Sequence, residues 1–137
     1  MQKRILFVDD EISILKMLTT AFTSFGYDVV TANSAETALE VLSREKIYCI
    51  FTDLRLDNQG GMDGIQLCRE IRKSNPIAIV FAMTGYANVF ELFDCREAGF
   101  DDYFLKPLEL EVINQAAERA FEKMSRWRQK KEVSRTA

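Results

Sequence analysis

Along this chain, polar residues able to do chemistry stand where apolar runs stop. Ile5-Leu6-Phe7-Val8 runs into Asp9-Asp10, Ile50-Phe51-Thr52 into Asp53, residues 77–83 into Thr84, and Tyr103-Phe104-Leu105 into Lys106. Continuous apolar runs of about 4–8 residues bounded by turn formers read as strands buried on both faces. One aspartate at such a boundary is ordinarily a helix or turn cap. Three carboxylates, a hydroxyl and an ammonium at the ends of four separate runs describe one site.

Carboxylates gathered in one place repel, which raises their pKa values unless a cation joins them. The chain has no histidine, and Cys49, Cys68 and Cys95 lie far apart in apolar segments without C-x-x-C spacing. Zinc centres and histidine-based acid–base chemistry are therefore disfavoured, and the cysteines read as small core residues. An all-oxygen set that keeps some water favours Mg²⁺. Lys106 adds a mobile point charge for a phosphoryl oxygen, Thr84 a hydroxyl donor, and Gly85 leaves space beside it. Together they suit a carboxylate nucleophile, Asp53, that accepts a phosphoryl group as an acyl phosphate.

Helical periodicity fills the intervals between the runs. Ile12, Leu15, Leu18 or Thr19, Phe22 and Phe25 share one face, with Gly26 placed as a C-terminal cap. After a short strand at Val29-Val30-Thr31, Ser34 caps a second helix whose apolar face is Ala35, Ala38, Leu39 and Leu42. A third helix carries Ile65, Cys68 and Ile71 and stops before Asn75-Pro76. The fourth carries Val89, Phe90, Phe93 and Ala98 and closes at Gly99; its aromatics read first as core, and where spare as a partner surface. From Glu109 the last helix carries Leu110, Ile113, Ala117, Phe121 and Met124, with Trp127 beyond. It is predicted to reach Lys131, about 35 Å, with residues 128–132 fraying.

Five strands alternating with five helices predict a doubly wound α/β fold, an open parallel sheet covered on both faces and joined by right-handed crossovers. Sites in such sheets lie beyond the carboxyl ends of the strands, where all five polar residues fall. At 137 residues the chain is one domain by length. A net charge of −3 argues against nucleic acid as the main partner of this domain. With no apolar run of membrane-spanning length and no signal peptide read at the start, a cytoplasmic location without membrane contact is expected.

Asp9-Asp10, Asp53, Thr84-Gly85 and Tyr103-x-x-Lys106-Pro107, in this order and spacing, resemble the receiver domain of response regulators in two-component signalling. The domain would occupy residues 1–124, the likeness itself covering roughly 3–124, with 125–137 as a helical extension, tail or linker. The resemblance implies a flavodoxin-like sheet in the order 2-1-3-4-5 and phosphorylation of Asp53 by a histidine kinase, a phosphotransfer protein or a small phosphodonor. It implies Mg²⁺ held directly by Asp10 and Asp53, by Asp9 largely through water, and by the Arg55 backbone carbonyl. Thr84 would bind the phosphoryl group and shift, Tyr103 would turn into the vacated space, Lys106 would pair with phosphoryl oxygens, and Lys106-Pro107 would be cis. The output surface would be the fourth helix, fifth strand and fifth helix, here 89–98, 102–105 and 109 onward. Such a phosphoprotein is a phosphorelay switch rather than an enzyme, with weak self-phosphorylation and autodephosphorylation.

The chain departs from the family at one loop. Family members usually bring the glycine of an M-D-G turn closer to the phosphoacceptor, with a proline between. Here eleven positions separate Asp53 from Gly64 of Met62-Asp63-Gly64, so loop 54–62 is about three residues longer, and donor access or partner fit is expected to differ. Arg55 and Tyr86, two residues after Asp53 and Thr84, stand where the family tunes entry of hydrolytic water, and their bulk predicts slow autodephosphorylation. The competing class is a pseudo-receiver, an interaction module that never takes phosphate. A haloacid-dehalogenase-type phosphotransferase is disfavoured because D-x-D-x-T is missing after the first run. The last helix either pairs with a second copy as a homodimer seam, folds Trp127 back onto its own domain, or begins a linker to an output domain.

Overall fold

Five strands and five helices alternate in the computed structural model, which describes residues 3–56, 60–86 and 88–136, giving backbone alone for 89, 90 and 129–136. The strands are β1 (Arg4–Val8), β2 (Asp28–Ala32), β3 (Cys49–Asp53), β4 (Ile79–Thr84) and β5 (Asp102–Leu105). The helices are α1 (Ile12–Ser24), α2 (Ala35–Arg44), α3 (Gly64–Ser74), α4 (Val89–Ala98) and α5 (Leu110–Thr136). All strands join one parallel sheet in the order β2-β1-β3-β4-β5, as the resemblance implies. The order reverses between β1 and β3, the kind of switch point where such sheets open a crevice.

The runs lack alternation because both faces of the sheet are covered, yet successive side chains still point to opposite sides. Ile5 and Phe7 of β1, Cys49 and Phe51 of β3, and Ile79, Phe81 and Met83 of β4 join Leu15, Leu18 and Phe22 of α1 and Ile113, Ala117 and Phe121 of α5. Leu6, Val8, Ile50 and Val80 enter a second core with Ala35 and Ala38 of α2 and Leu67, Cys68 and Ile71 of α3. Phe7, Phe51 and Phe81 are direct cross-strand partners. Their rings, with Phe104 of β5, succeed one another at 5.3, 4.7 and 5.7 Å, contacts worth about 0.5–1.5 kcal/mol each beyond burial. Phe104 is paired with Met83 and reaches Phe81 diagonally, so the row spans four strands and is in register across three.

Helix ends follow local chemistry. Ser34 accepts from the Thr37 amide at 3.1 Å, and Asp63 and Gln66 form a capping box at α3 that the sequence reading missed. Gly99, at φ +102°, takes the left-handed conformation that ends α4. Arg72 of α3 then ties three segments together. Its guanidinium donates to Gly99 O at 2.8 and 2.5 Å, to Ala78 O, and to Asp101 at 2.8 Å.

Two expectations are corrected. Phe93, read as core, is 67% exposed, because α4 turns that position outward; the Phe90 side chain lies outside the described residues. Helix α5 continues through Thr136, past Lys131, so residues 128–132 are helical instead of frayed. Of the alternatives for the last helix, the fold-back of Trp127 is met only in part: it lines a groove with Tyr48, Ile77 and Met124 of its own domain and stays 66% exposed. The three cysteines are free and buried, as expected. Among the described residues no helix is long and apolar enough to cross a membrane.

Candidate functional site

Parallel strands bring all their carboxyl ends to one edge, and the five polar residues converge there. Asp9 directly follows β1, Asp53 and Thr84 are the last residues of β3 and β4, and Lys106 directly follows β5. One carboxylate oxygen from each of Asp9, Asp10 and Asp53 lies within 4.8 Å of the others, with Asp9 and Asp53 buried and Asp10 half-buried. The Lys106 ammonium donates to Asp9 at 2.9 Å and to Asp53 at 3.3 Å. Backbone amides complete the cradle: Glu11 N–H donates to Asp9 at 2.9 Å, and Arg55 N–H to Asp53 at 3.4 Å.

Burial, and next the charge of Asp9, push the Asp53 carboxyl up to about 6, against the opposing pull of Lys106 and the Arg55 N–H. Burial works against the Lys106 charge, yet its hydrogen bond to Asp9 and the neighbouring carboxylates outweigh burial and raise it. Thus Lys106 stays cationic and bridges Asp9 and Asp53. The hard oxygen donors and their close spacing fit a divalent cation such as Mg²⁺.

Thr84 is buried and already engaged. Its hydroxyl donates to the Tyr86 carbonyl at 2.6 Å and accepts from the Tyr86 amide at 3.2 Å. Beside it, a Cβ at Gly85 would meet nothing within 4 Å, which leaves the expected space. Tyr103 is 40% exposed, and the Lys106-Pro107 peptide is cis. At the rim, the Arg55 guanidinium donates to Glu91 of α4 at 3.1 and 2.6 Å and stands 5.6 Å from the centre of the Tyr86 ring.

Sequence reasoning missed two contributors, Glu91 and Glu36, and the close approach of a third, Gly64. Glu91 follows Asn88 by three residues, so its local signal is that of a capping partner. Asn88 does accept from the Glu91 amide at 2.8 Å, but the Glu91 carboxylate takes Arg55 instead. Glu36 of α2 accepts from the Met62 amide at 2.9 Å, pinning the far side of the lengthened loop, whose residues 57–59 lie outside the described residues. Gly64 presses against the phosphoacceptor strand: a Cβ there would lie 2.0 Å from the Asp53 carbonyl oxygen and 2.8 Å from the Leu54 Cα. The M-D-G turn thus returns its glycine to the base of the site despite the longer loop.

Comparison with known proteins agrees with this geometry. The response regulator receiver domain model matches residues 5–118. The transcriptional regulatory protein GlrR of Escherichia coli is 36% identical over 130 residues, covering 91% of this chain and 29% of GlrR, so the chain spans under a third of that relative. Among solved structures, a two-component response regulator from Clostridium difficile is similar at a TM-score of 0.83 and 26% identity, covering 90% of this chain and 98% of that one. The receiver domain of NtrX from Brucella abortus is similar at a TM-score of 0.78 and 31% identity, covering 86% and 98%. Convergent acids, a buried threonine and a bridging lysine on a 2-1-3-4-5 sheet, together with these matches, show that the chain belongs to the response regulator receiver domain family.

Proposed function

We propose that this domain is a phosphorylation-dependent switch in which Asp53 is the phosphoacceptor. The observation that carries the reading is the Asp53 carboxylate itself, buried at the end of β3 yet bonded to Lys106 and facing Asp9. A carboxylate oxygen of Asp53 attacks phosphorus, and the P–N bond of a kinase phosphohistidine, or the P–O bond of acetyl phosphate, breaks in line. The leaving nitrogen or oxygen keeps the electron pair, and an acyl phosphate remains on Asp53. Attack needs the ionised carboxylate, which Lys106 favours by lowering the raised pKa.

Asp9, Asp10, Asp53 and the Arg55 carbonyl would hold Mg²⁺, which when bound neutralises carboxylate and phosphoryl charge. Lys106 then offers its ammonium to phosphoryl oxygens. Thr84 must release the Tyr86 carbonyl to donate to the phosphoryl group, and the half-exposed Tyr103 follows into the space opened. The added charge, about −1.5 to −2, biases the surface of α4, β5 and α5 between two packings. Phe93, Tyr103, Leu105 and Val112 give that surface its exposed apolar residues.

The domain is a phosphoacceptor with weak self-catalysis rather than an enzyme acting on separate substrates, and it works in the cytoplasm. Its partners are a sensor kinase or phosphotransfer protein and a downstream protein or output domain, without direct contact with nucleic acid. Arg55 and Tyr86 shield the acyl phosphate from water, so the phosphoryl lifetime shortens in Arg55→Asn and Tyr86→Ala. The test of the whole reading is intact mass after incubation with Mg²⁺ and acetyl phosphate. One phosphoryl addition in wild type and none in Asp53→Asn is expected. No addition, with no beryllofluoride binding either, overturns it in favour of a pseudo-receiver.

A further inference from the structure

Arg55 follows the phosphoacceptor by two residues, yet its guanidinium is committed to α4. Both Nε and Nη2 donate to one oxygen of Glu91, and the Glu91 side chain is the less exposed partner, 19% against 65%. The other carboxylate oxygen, Oε2, is buried with no hydrogen-bond partner among the described residues. Leaving a buried carboxylate oxygen unsatisfied is costly, so the arrangement is not explained by stability alone. The Tyr86 ring lies near the same guanidinium, and the Tyr86 backbone holds the Thr84 hydroxyl. One bridge therefore links the loop after β3, the segment after β4 and the first turn of α4.

We propose that Glu91 is a positioning residue for Arg55: in the resting chain it holds the guanidinium on α4, and a phosphoryl group on Asp53 draws the guanidinium away and releases the first turn of α4. The inference rests on Asp53 being the phosphoacceptor. A phosphoryl dianion offers a planar guanidinium more charge and more acceptor oxygens than one carboxylate. Glu91 has a second partner within reach, because it occupies the third helical position after Asn88, from which a glutamate can bond back to the N-cap amide. Thr84 and Arg55 both leave the Tyr86 segment in the same event, so their movements are coupled.

The test is calorimetric titration of the whole chain with beryllofluoride in Mg²⁺, for wild type, Glu91→Gln, Glu91→Ala, Arg55→Ala and the Arg55→Ala/Glu91→Ala pair. Removing the competing carboxylate is expected to tighten binding about fivefold in the Arg55 background and to leave it unchanged when Arg55 is absent. Hydrogen exchange of the first α4 amides should rise in wild type on adding beryllofluoride, and in Glu91→Ala without it. Equal affinities for wild type and both Glu91 variants overturn the bridge, as does the same gain in the Arg55→Ala background. Those results leave the phosphoacceptor reading intact, whereas a wild type that binds no beryllofluoride overturns both.

Discussion

Replacing Gly64 by alanine tests whether the turn after the lengthened loop is part of the site or merely near it. The added Cβ would stand 2.0 Å from the Asp53 carbonyl oxygen, and contacts under 3.0 Å essentially never occur, so β3 and α3 must part by at least 1.0 Å (3.0 − 2.0 Å). Both neighbours struck, Asp53 O and Leu54 Cα, are backbone and have no rotamer by which to escape. Overfilling a packed position costs about 1–3 kcal/mol. Parting the elements also weakens the 3.0 Å bond from Gly64 N–H to Leu54 O, worth about 1 kcal/mol. Alanine returns at most about 1 kcal/mol through helix preference. The net expectation is a loss of about 1–3 kcal/mol, read in urea unfolding, or a melting temperature lower by about 3–10 °C. Because the displaced backbone carries Asp53, beryllofluoride affinity should fall as well. Gly85→Ala is the control, since nothing lies within 4 Å of its Cβ, and its stability should change by less than about 1 kcal/mol. A Gly64→Ala protein as stable as Gly85→Ala, with undiminished beryllofluoride affinity, would refute the close-approach explanation.

Three other outcomes follow from the same structure. Asp53 is raised from 3.8 to about 6, so the stability conferred by its protonated form is complete below about pH 4 and lost as pH rises through about 6. In metal-free buffer, denaturation should show a gain of roughly 2–3 kcal/mol from pH 8 to pH 4 attributable to this group, and Asp53→Asn should flatten it. Magnesium should raise the melting temperature of wild type, by the equivalent of about 2.7 kcal/mol at a hundredfold excess over its Kd. An unchanged wild-type melting curve at about 10 mM Mg²⁺ would contradict the metal site. Arg72→Ala removes the clamp on Gly99, Ala78 and Asp101 and should cost about 3 kcal/mol in chemical denaturation. Arg72→Lys should recover little, because one ammonium does not span three acceptors.

The site was legible in the sequence because strand-end placement is written locally. An apolar run followed by Asp9, Asp53, Thr84 or Lys106 needs only the parallel topology to bring those residues together. Gly64 was read as part of a motif, but its contact with the Asp53 carbonyl depends on how α3 packs on β3. Glu91 was invisible as a partner of Arg55 because its spacing from Asn88 already supplied a local role. Phe93 misled because residue type suggests burial, whereas orientation around α4 decides it. Solvated residues such as Arg128, Gln129, Lys130 and Lys131 suggest fraying, so the sequence places the end of α5 too early. They are good helix formers, and no glycine or proline stands among residues 110–136 to stop the helix.

Helix α5 extends well beyond the core it packs on. Among the described residues Met124 is the last of the helix to pack against the main core cluster, and the helical backbone continues twelve residues further, to Thr136. At 1.5 Å per residue that is a lever of about 18 Å, and a pivot of about 10° at Met124 sweeps its tip about 3 Å. A small tilt where the helix meets the sheet would thus arrive at the distal end as a displacement close to the width of an atom.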